Sequence, residues 1–143
     1  VSQQQTIEKL WQHIRDPKQI TLLETLGIEI DYIGADAIRG SMPVDQRTKQ
    51  YYGMLHGGAS VAFAETLASL ASLLHIDMTK DMIVGLEINA NHIRSATGGR
   101  ITGEGKPLHI GAKTQIWSIE MKNEQGKLLC ISRCTIAVVP KRE

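Results

Sequence analysis

Aromatic residues are scarce: one Phe, two Trp and three Tyr in 143 positions, so the core must be built from aliphatic side chains. Cysteine is nearly absent too. Cys130 and Cys134 stand four apart, and on one strand they would share a face about 13 Å apart, beyond disulfide reach. They are expected as reduced core thiols. Charge of either sign is not in excess: Lys+Arg 16 against Asp+Glu 15 leaves +1, with a pI near 8.0, which removes the compositional case for a nucleic-acid partner. Val1 to Gln19 lacks the basic, then apolar, then small-residue layout of a secretory leader, so the expected address is the cytoplasm. His-Glu-x-x-His, GxxxxGK[ST] and GxSxG are all missing, and the five histidines are scattered. No metal site and no cofactor are expected, and neither a nucleotide hydrolase nor an α/β-hydrolase fits.

What is present suits one domain spanning 1–143 with its own core, 42% of the residues being hydrophobic. Ile7, Leu10, Trp11 and Ile14 recur at helical spacing, and Leu22, Leu23 and Leu26 run to Gly27; short surface helices are expected over about 5–26. The period then changes to that of a hairpin, Ile28 to Ile33 and Ala37 to Val44 around Gly34-Ala35-Asp36. Gly57 to Ile76 carries no charged residue except Glu65 and reads as a long buried helix. Strand patterns follow at Met82 to Arg94, Ile101 to His109, Ala112 to Lys122 and Lys127 to Val139, with sequential antiparallel pairing the economical topology. The expectation is an α+β domain, an antiparallel sheet wrapped around one long helix. That helix is long enough for a membrane span, but its mid-helix Glu65 and its many Ala and Ser residues suit packing on a sheet instead, so no membrane partner is expected.

Glu65 carries the chemistry. A carboxylate within an apolar helix must be hydrogen-bonded, paired or protonated, and no Lys or Arg lies three or four positions away. Ser69 follows on the same helical face, where its hydroxyl could bond the carboxylate or hold a water. At the helix start, His56-Gly57-Gly58 offers unpaired backbone N–H groups at the positive end of the helix dipole, a place for a developing oxyanion. Gly57 and Glu65 are eight positions apart, about 12 Å along one axis, so one carbonyl carbon cannot touch both within a chain. Action on one centre requires Glu65 from one chain and Gly57 from another, hence at least a dimer.

The runs Met42-Pro43-Val44-Asp45-Gln46-Arg47-Thr48-Lys49-Gln50, Leu55-His56-Gly57-Gly58-Ala59-Ser60-Val61, Ala64-Glu65-Thr66, Val84-Gly85-Leu86-Glu87-Ile88-Asn89-Ala90-Asn91-His92 and Lys106-Pro107-Leu108-His109-Ile110-Gly111 closely resemble the hotdog-fold acyl-CoA thioesterases. The nearest likeness is to the bacterial branch that holds 1,4-dihydroxy-2-naphthoyl-CoA hydrolase and the phenylacetate- and enterobactin-pathway thioesterases. The resemblance covers about Gly27 to Val139. It implies that Glu65 is the catalytic carboxylate, either nucleophile or general base, with Ser69 in support. It further implies that the Gly57 N–H polarises the thioester carbonyl, and that His56 and Gln50 orient substrate or water from the partner chain. The implied assembly is a dimer or a dimer of dimers, with acyl-CoA as substrate and either an aromatic or hydroxy-aromatic acyl group or a broad acyl range.

For coenzyme A the resemblance points to Gly85, to His92, Ile93, Arg94 and Ser95, and to His109, Ile110, Gly111, Ala112, Lys113 and Thr114. Arg94 and Lys113 are the preferred phosphate contacts, whereas Arg100 and Lys122 suit a solvated strand face. Phe63, Leu67, Leu70 and Met54 are the expected acyl-pocket lining. A hotdog dehydratase or hydratase, and a non-catalytic acyl-CoA-binding module, are the alternatives; release of free thiol separates the hydrolase from both.

Overall fold

The computed structural model describes residues 1–142. Helices α1 (Gln3–Arg15) and α2 (Leu22–Thr25) precede strands β1 (Glu29–Ile33) and β2 (Ile38–Pro43). Helix α3 (Gly57–Ser72) continues into a 3₁₀ turn at Leu73–His75, and β3 (Asp81–His92), β4 (Arg100–Ile110), β5 (Thr114–Lys122) and β6 (Leu128–Pro140) complete the chain. Helix α1 opens on a capping box in which the Ser2 hydroxyl accepts the Gln5 N–H and the Gln5 side chain accepts the Ser2 N–H. Helix α2 closes at Gly27, whose φ of 71° lets the Gly27 and Ile28 N–H groups turn back to the carbonyls of Glu24 and Leu23.

The six strands run in the order β1-β2-β4-β5-β6-β3, each antiparallel to its neighbours. Sequential pairing therefore fails at one place. Strand β3 does not lie beside β4; it crosses to the far edge and pairs with β6 from Asp81 opposite Pro140 to His92 opposite Cys130. The reason lies in β6, which buries Cys130, Ser132, Cys134 and Ile136 on its inner side and needs a long partner on each flank. With β5 on one flank, the twelve residues of β3 supply the other.

Helix α3 lies on the inner face of the sheet, with Phe63, Ala64, Leu67, Ala68 and Ala71 wholly buried against it. Gly103 makes this approach possible: a Cβ there would come within 2.9 Å of both the Phe63 and Leu67 side chains. Phe63 and Leu67 therefore cannot line an acyl pocket. They belong to the core, where burial of each stabilises the fold by about 2–3 kcal/mol. By length and composition α3 with its 3₁₀ turn could cross a bilayer, yet here it is the core helix under the sheet. Its last carbonyl, Ser72 O, accepts from Nε2 of buried Gln115, whose Oε1 accepts from the Trp117 indole, so an orphan helix-end group is satisfied inside the core. Both cysteines are buried and free.

His75 stands 5.7 Å from Trp117 between ring centroids, and its Nε2 is buried without a partner among the described residues. Burial pulls its imidazole below the ordinary value of 6.5, and the Ala35 backbone offsets part of that effect. The folded state thus favours neutral His75, and the unfolded chain takes up the proton first. The associated stability is complete above about pH 6.5 and is lost as the pH falls below it. A melting temperature that drops between about pH 7.5 and pH 5.5 is expected, with a smaller drop in His75→Phe; equal drops in the two proteins would exclude His75 as the source.

Candidate active site

The segment before α3 is pinned at both ends. Buried Thr48 donates its hydroxyl to Pro43 O at 2.6 Å, while the His56 N–H donates to Thr48 O and the Leu55 N–H to Ala96 O, each at 2.8 Å. A tight turn from Gln50 to Met54, closed by the Gln50 N–H on Met54 O, uses Gly53 at a φ of 82°. The Gln50 Oε1 accepts from the Tyr52 N–H. His56 caps α3: its Nδ1 accepts the Gly58 N–H at 2.8 Å, which fixes the ring proton on Nε2. The intervening Gly57 N–H donates to no group among the described residues. It opens on a cavity of about 340 Å³ shared with Gln50, Ser60, His92, Arg94 and Ser95. A Cβ on Gly57 would stand 3.0 Å from His92 Nε2, so the histidine ring lies directly against the helix start. A free first-turn N–H with the helix dipole behind it is chemically able to receive a negative oxygen.

Glu65 lies two turns further on, half-buried, in a second cavity of about 460 Å³ with Ser69, Thr66 and Leu70. No hydrogen bond joins Glu65 to Ser69; they share a wall of the cavity. Gly85 of β3 faces the carboxylate so closely that a Cβ there would overlap Glu65 Oε1. The strand register also slips between Gly85 and Glu87, a bulge that marks this point. Cys134 on β6 is the nearby thiol, and burial, reinforced by the Glu65 and Glu87 carboxylates, pushes it up to about 12. It stays protonated and inert.

The expected coenzyme A residues divide between the two ends of β3. His92, Ile93, Arg94 and Ser95 line the Gly57 cavity. The turn of His109, Ile110, Gly111, Ala112, Lys113 and Thr114, closed by the Gly111 N–H on Thr114 O at 2.9 Å, lies at the other end. Thr114 pairs with Ala137 and Ala137 with Val84, which sets that turn level with Gly85. A single chain therefore holds two separate groups: Gln50, Gly57 and 92–95 at one end, Glu65, Ser69, Gly85 and 109–114 at the other. His56 does not line the first cavity; it holds the backbone that does. Arg100, expected on a solvated face, instead donates to Ser41 Oγ at 3.0 Å and Gly27 O at 3.1 Å, tying β4 to β2 and the end of α2. Lys106 is paired with Glu104 at 3.5 Å.

Two sets of lining residues escaped the sequence reading. Leu55, Ser60 and Leu129 join the Gly57 cavity, as does Met54, which was expected on the acyl side; of the first three only Ser60 had a signal, its place three residues after Gly57 on one helical face. His13, Ile14 and Thr21 to Glu24 wall the Glu65 cavity from outside the recognisable motifs.

A family profile described as thioesterase superfamily matches residues 52–130. The chain is 51% identical over 114 residues to the 1,4-dihydroxy-2-naphthoyl-CoA hydrolase of Escherichia coli (strain K12), covering 80% of this chain and 83% of that one. It is 47% identical over 121 residues to the proofreading thioesterase EntH of Cronobacter turicensis, covering 83% and 86%. The solved structure of a mutant thioesterase from Pseudomonas aeruginosa matches with a TM-score of 0.85 at 41% identity, over 94% of both chains. The profile match spans the start of α3, Glu65 and strands β3 to β5, and with the sheet wrapped on α3 these likenesses fix the class: the chain belongs to the thioesterase superfamily, as an α+β hotdog-fold enzyme that hydrolyses thioesters.

Proposed function

We propose that the enzyme cleaves an aromatic or hydroxy-aromatic acyl-CoA, with Glu65 of one protomer and the Gly57 N–H of its partner acting on the same thioester. The observation that carries this reading is the division of the site between the two ends of β3. That strand is a free sheet edge of twelve residues, with Met82, Val84 and Leu86 exposed, Leu86 to 63%. Long apolar edges of this kind call for a cover. Antiparallel pairing of β3 with a second copy about a two-fold axis near its middle sets Gly85 beside the partner's His92. Glu65 sits on Gly85 and Gly57 lies against His92, so the two halves meet. The same operation brings Lys113 and the 109–114 turn towards the partner's Arg94, two cations from different chains on one nucleotide arm.

In such a site the thioester oxygen accepts from the Gly57 N–H, and the helix dipole stabilises the charge that develops on it. Glu65 either attacks the carbonyl carbon, expelling the coenzyme A thiolate and leaving a mixed anhydride for water to open, or takes a proton from the water that attacks. Both routes use one water and release one acid and one thiol. Ser69 is suited to hold the water and Gln50 to orient the substrate, while His56 acts through the helix start it caps, keeping the Gly57 N–H in place. The substrate named for the Escherichia coli relative supports the aromatic acyl class. Thiol release from acetyl, benzoyl and hydroxynaphthoyl esters of coenzyme A tests the assignment. The aryl esters are expected to be the better substrates, and Glu65→Gln to lose about 10³-fold in kcat with an unchanged melting temperature. Turnover retained in that variant would remove Glu65 from the chemistry.

A further inference from the structure

We infer that the N-terminal segment, the end of α1 through α2, is the acyl-selectivity wall of this enzyme, with Leu22 meeting the far end of the acyl group. The inference rests on the reading of Glu65 given above. The Glu65 cavity lies between two elements: α3 contributes Ala62, Thr66, Ser69 and Leu70, and the N-terminal segment contributes Ile14, Leu22 and Leu23, with His13 and Glu24 alongside. None of these N-terminal residues lines the Gly57 cavity, which holds Arg94 and the other residues suited to the nucleotide arm. A thioester carbonyl held between the two groups sends its sulfur towards one cavity and its acyl group towards the other. On the acyl side Phe63 and Leu67 are sealed in the core, so size discrimination falls to the opposite wall.

That wall is held firmly enough to discriminate. Glu24 Oε2 accepts from both the Thr21 N–H at 2.7 Å and the Thr21 hydroxyl at 2.6 Å, locking the start of α2. The Gly27 turn locks its end. Ile14 and Leu23 are packed on the core, whereas Leu22, between these anchors, remains 55% exposed. A leucine fixed in place with its side chain on a cavity, and left half in water, is a surface that a flat hydrocarbon acyl group would cover. One added or missing contact of this kind shifts a substrate ratio by about 10- to 200-fold.

Leu22→Trp and Leu22→Ala, compared on acetyl-, benzoyl- and 2-naphthoyl-CoA, test the wall. Leu22→Trp is expected to lower kcat/KM for the naphthoyl ester about ten-fold or more relative to the acetyl ester, chiefly through KM. Leu22→Ala is expected to move the naphthoyl-to-benzoyl ratio the opposite way. A merely structural role for Leu22 would move all three esters together, and that result, or no change in either variant, overturns the inference while the Glu65 assignment stands. Full activity of Glu65→Gln in the same assay would overturn both.

Discussion

Glu65→Gln and Gly57→Pro, each inactive alone, are expected to regain about a quarter of wild-type thiol release when the two chains are unfolded, mixed in equal amounts and refolded together. Proline is a clean lesion at position 57. Gly57 is the first residue of α3, where proline is tolerated, and the preceding His56 already has the extended backbone (φ −70°, ψ 128°) that proline demands. Because the Gly57 N–H bonds nothing among the described residues, its removal costs the fold no hydrogen bond there. The His92 ring must give way by a few tenths of an ångström, and an alanine at position 57 asks the same of it. What disappears is the oxyanion donor, worth about 10²- to 10³-fold in kcat. Random pairing makes half of the dimers mixed, and each mixed dimer holds one site with both lesions and one with neither. If Gly57 and Glu65 acted within a single chain, no mixture of the two variants would recover anything. Gly57→Ala, which keeps the N–H, is the matched control and is expected to retain most of its activity.

Much of this site was legible because its chemistry is local. Glu65 stands out as the one charge in an apolar helix, and His56-Gly57-Gly58 marks a helix start whatever surrounds it. Even the proposed sharing of the site between two chains follows from the eight-residue spacing and the helical rise. Strand positions were legible within a few residues for a similar reason: alternation through Gln115, Trp117, Ile119 and Met121 puts all four on the buried face. The edge position of β3 was not, because β3 and β4 are both apolar enough to pair and the choice depends on what β6 needs some forty residues later. Phe63 and Leu67 look like pocket residues in one dimension and become core residues only once Gly103 brings the sheet up against them. The wall from His13 to Glu24 was hidden differently. Ile14, Leu22 and Leu23 carry the same helical periodicity whether they cover a core or a ligand, and only the partial exposure of Leu22 tells the two apart. Arg100 shows the same limit for charge, since a strand-face arginine and a structural tie to Gly27 O are identical in sequence.

Gly85→Val is expected to lower kcat by about 10²-fold while leaving the melting temperature unchanged or slightly raised. Gly85 does not have a positive φ, so the backbone accepts a side chain, and a β-branched residue suits a strand better than glycine by up to about 1 kcal/mol. Only Glu65 stands within reach of the new Cβ, through Oε1, Cδ and Cγ. The group that must move is therefore the free end of a flexible side chain, an adjustment that costs the fold little. It costs catalysis much more, since a displacement of about 1 Å at the reacting group is enough for a 10²-fold loss. Gly103→Ala is the contrasting case: its Cβ meets Phe63 and Leu67 in the core, so stability is expected to fall there while the active-site geometry near Glu65 is untouched. Measured side by side, kcat and melting temperature should separate the two glycines, one giving space to the carboxylate and the other to the helix. A Gly85→Val enzyme with wild-type kcat would mean that the Glu65 position set by Gly85 is not the one from which the thioester is cleaved. The place of Gly85 opposite Glu65, inside the edge strand, would then need a different cause.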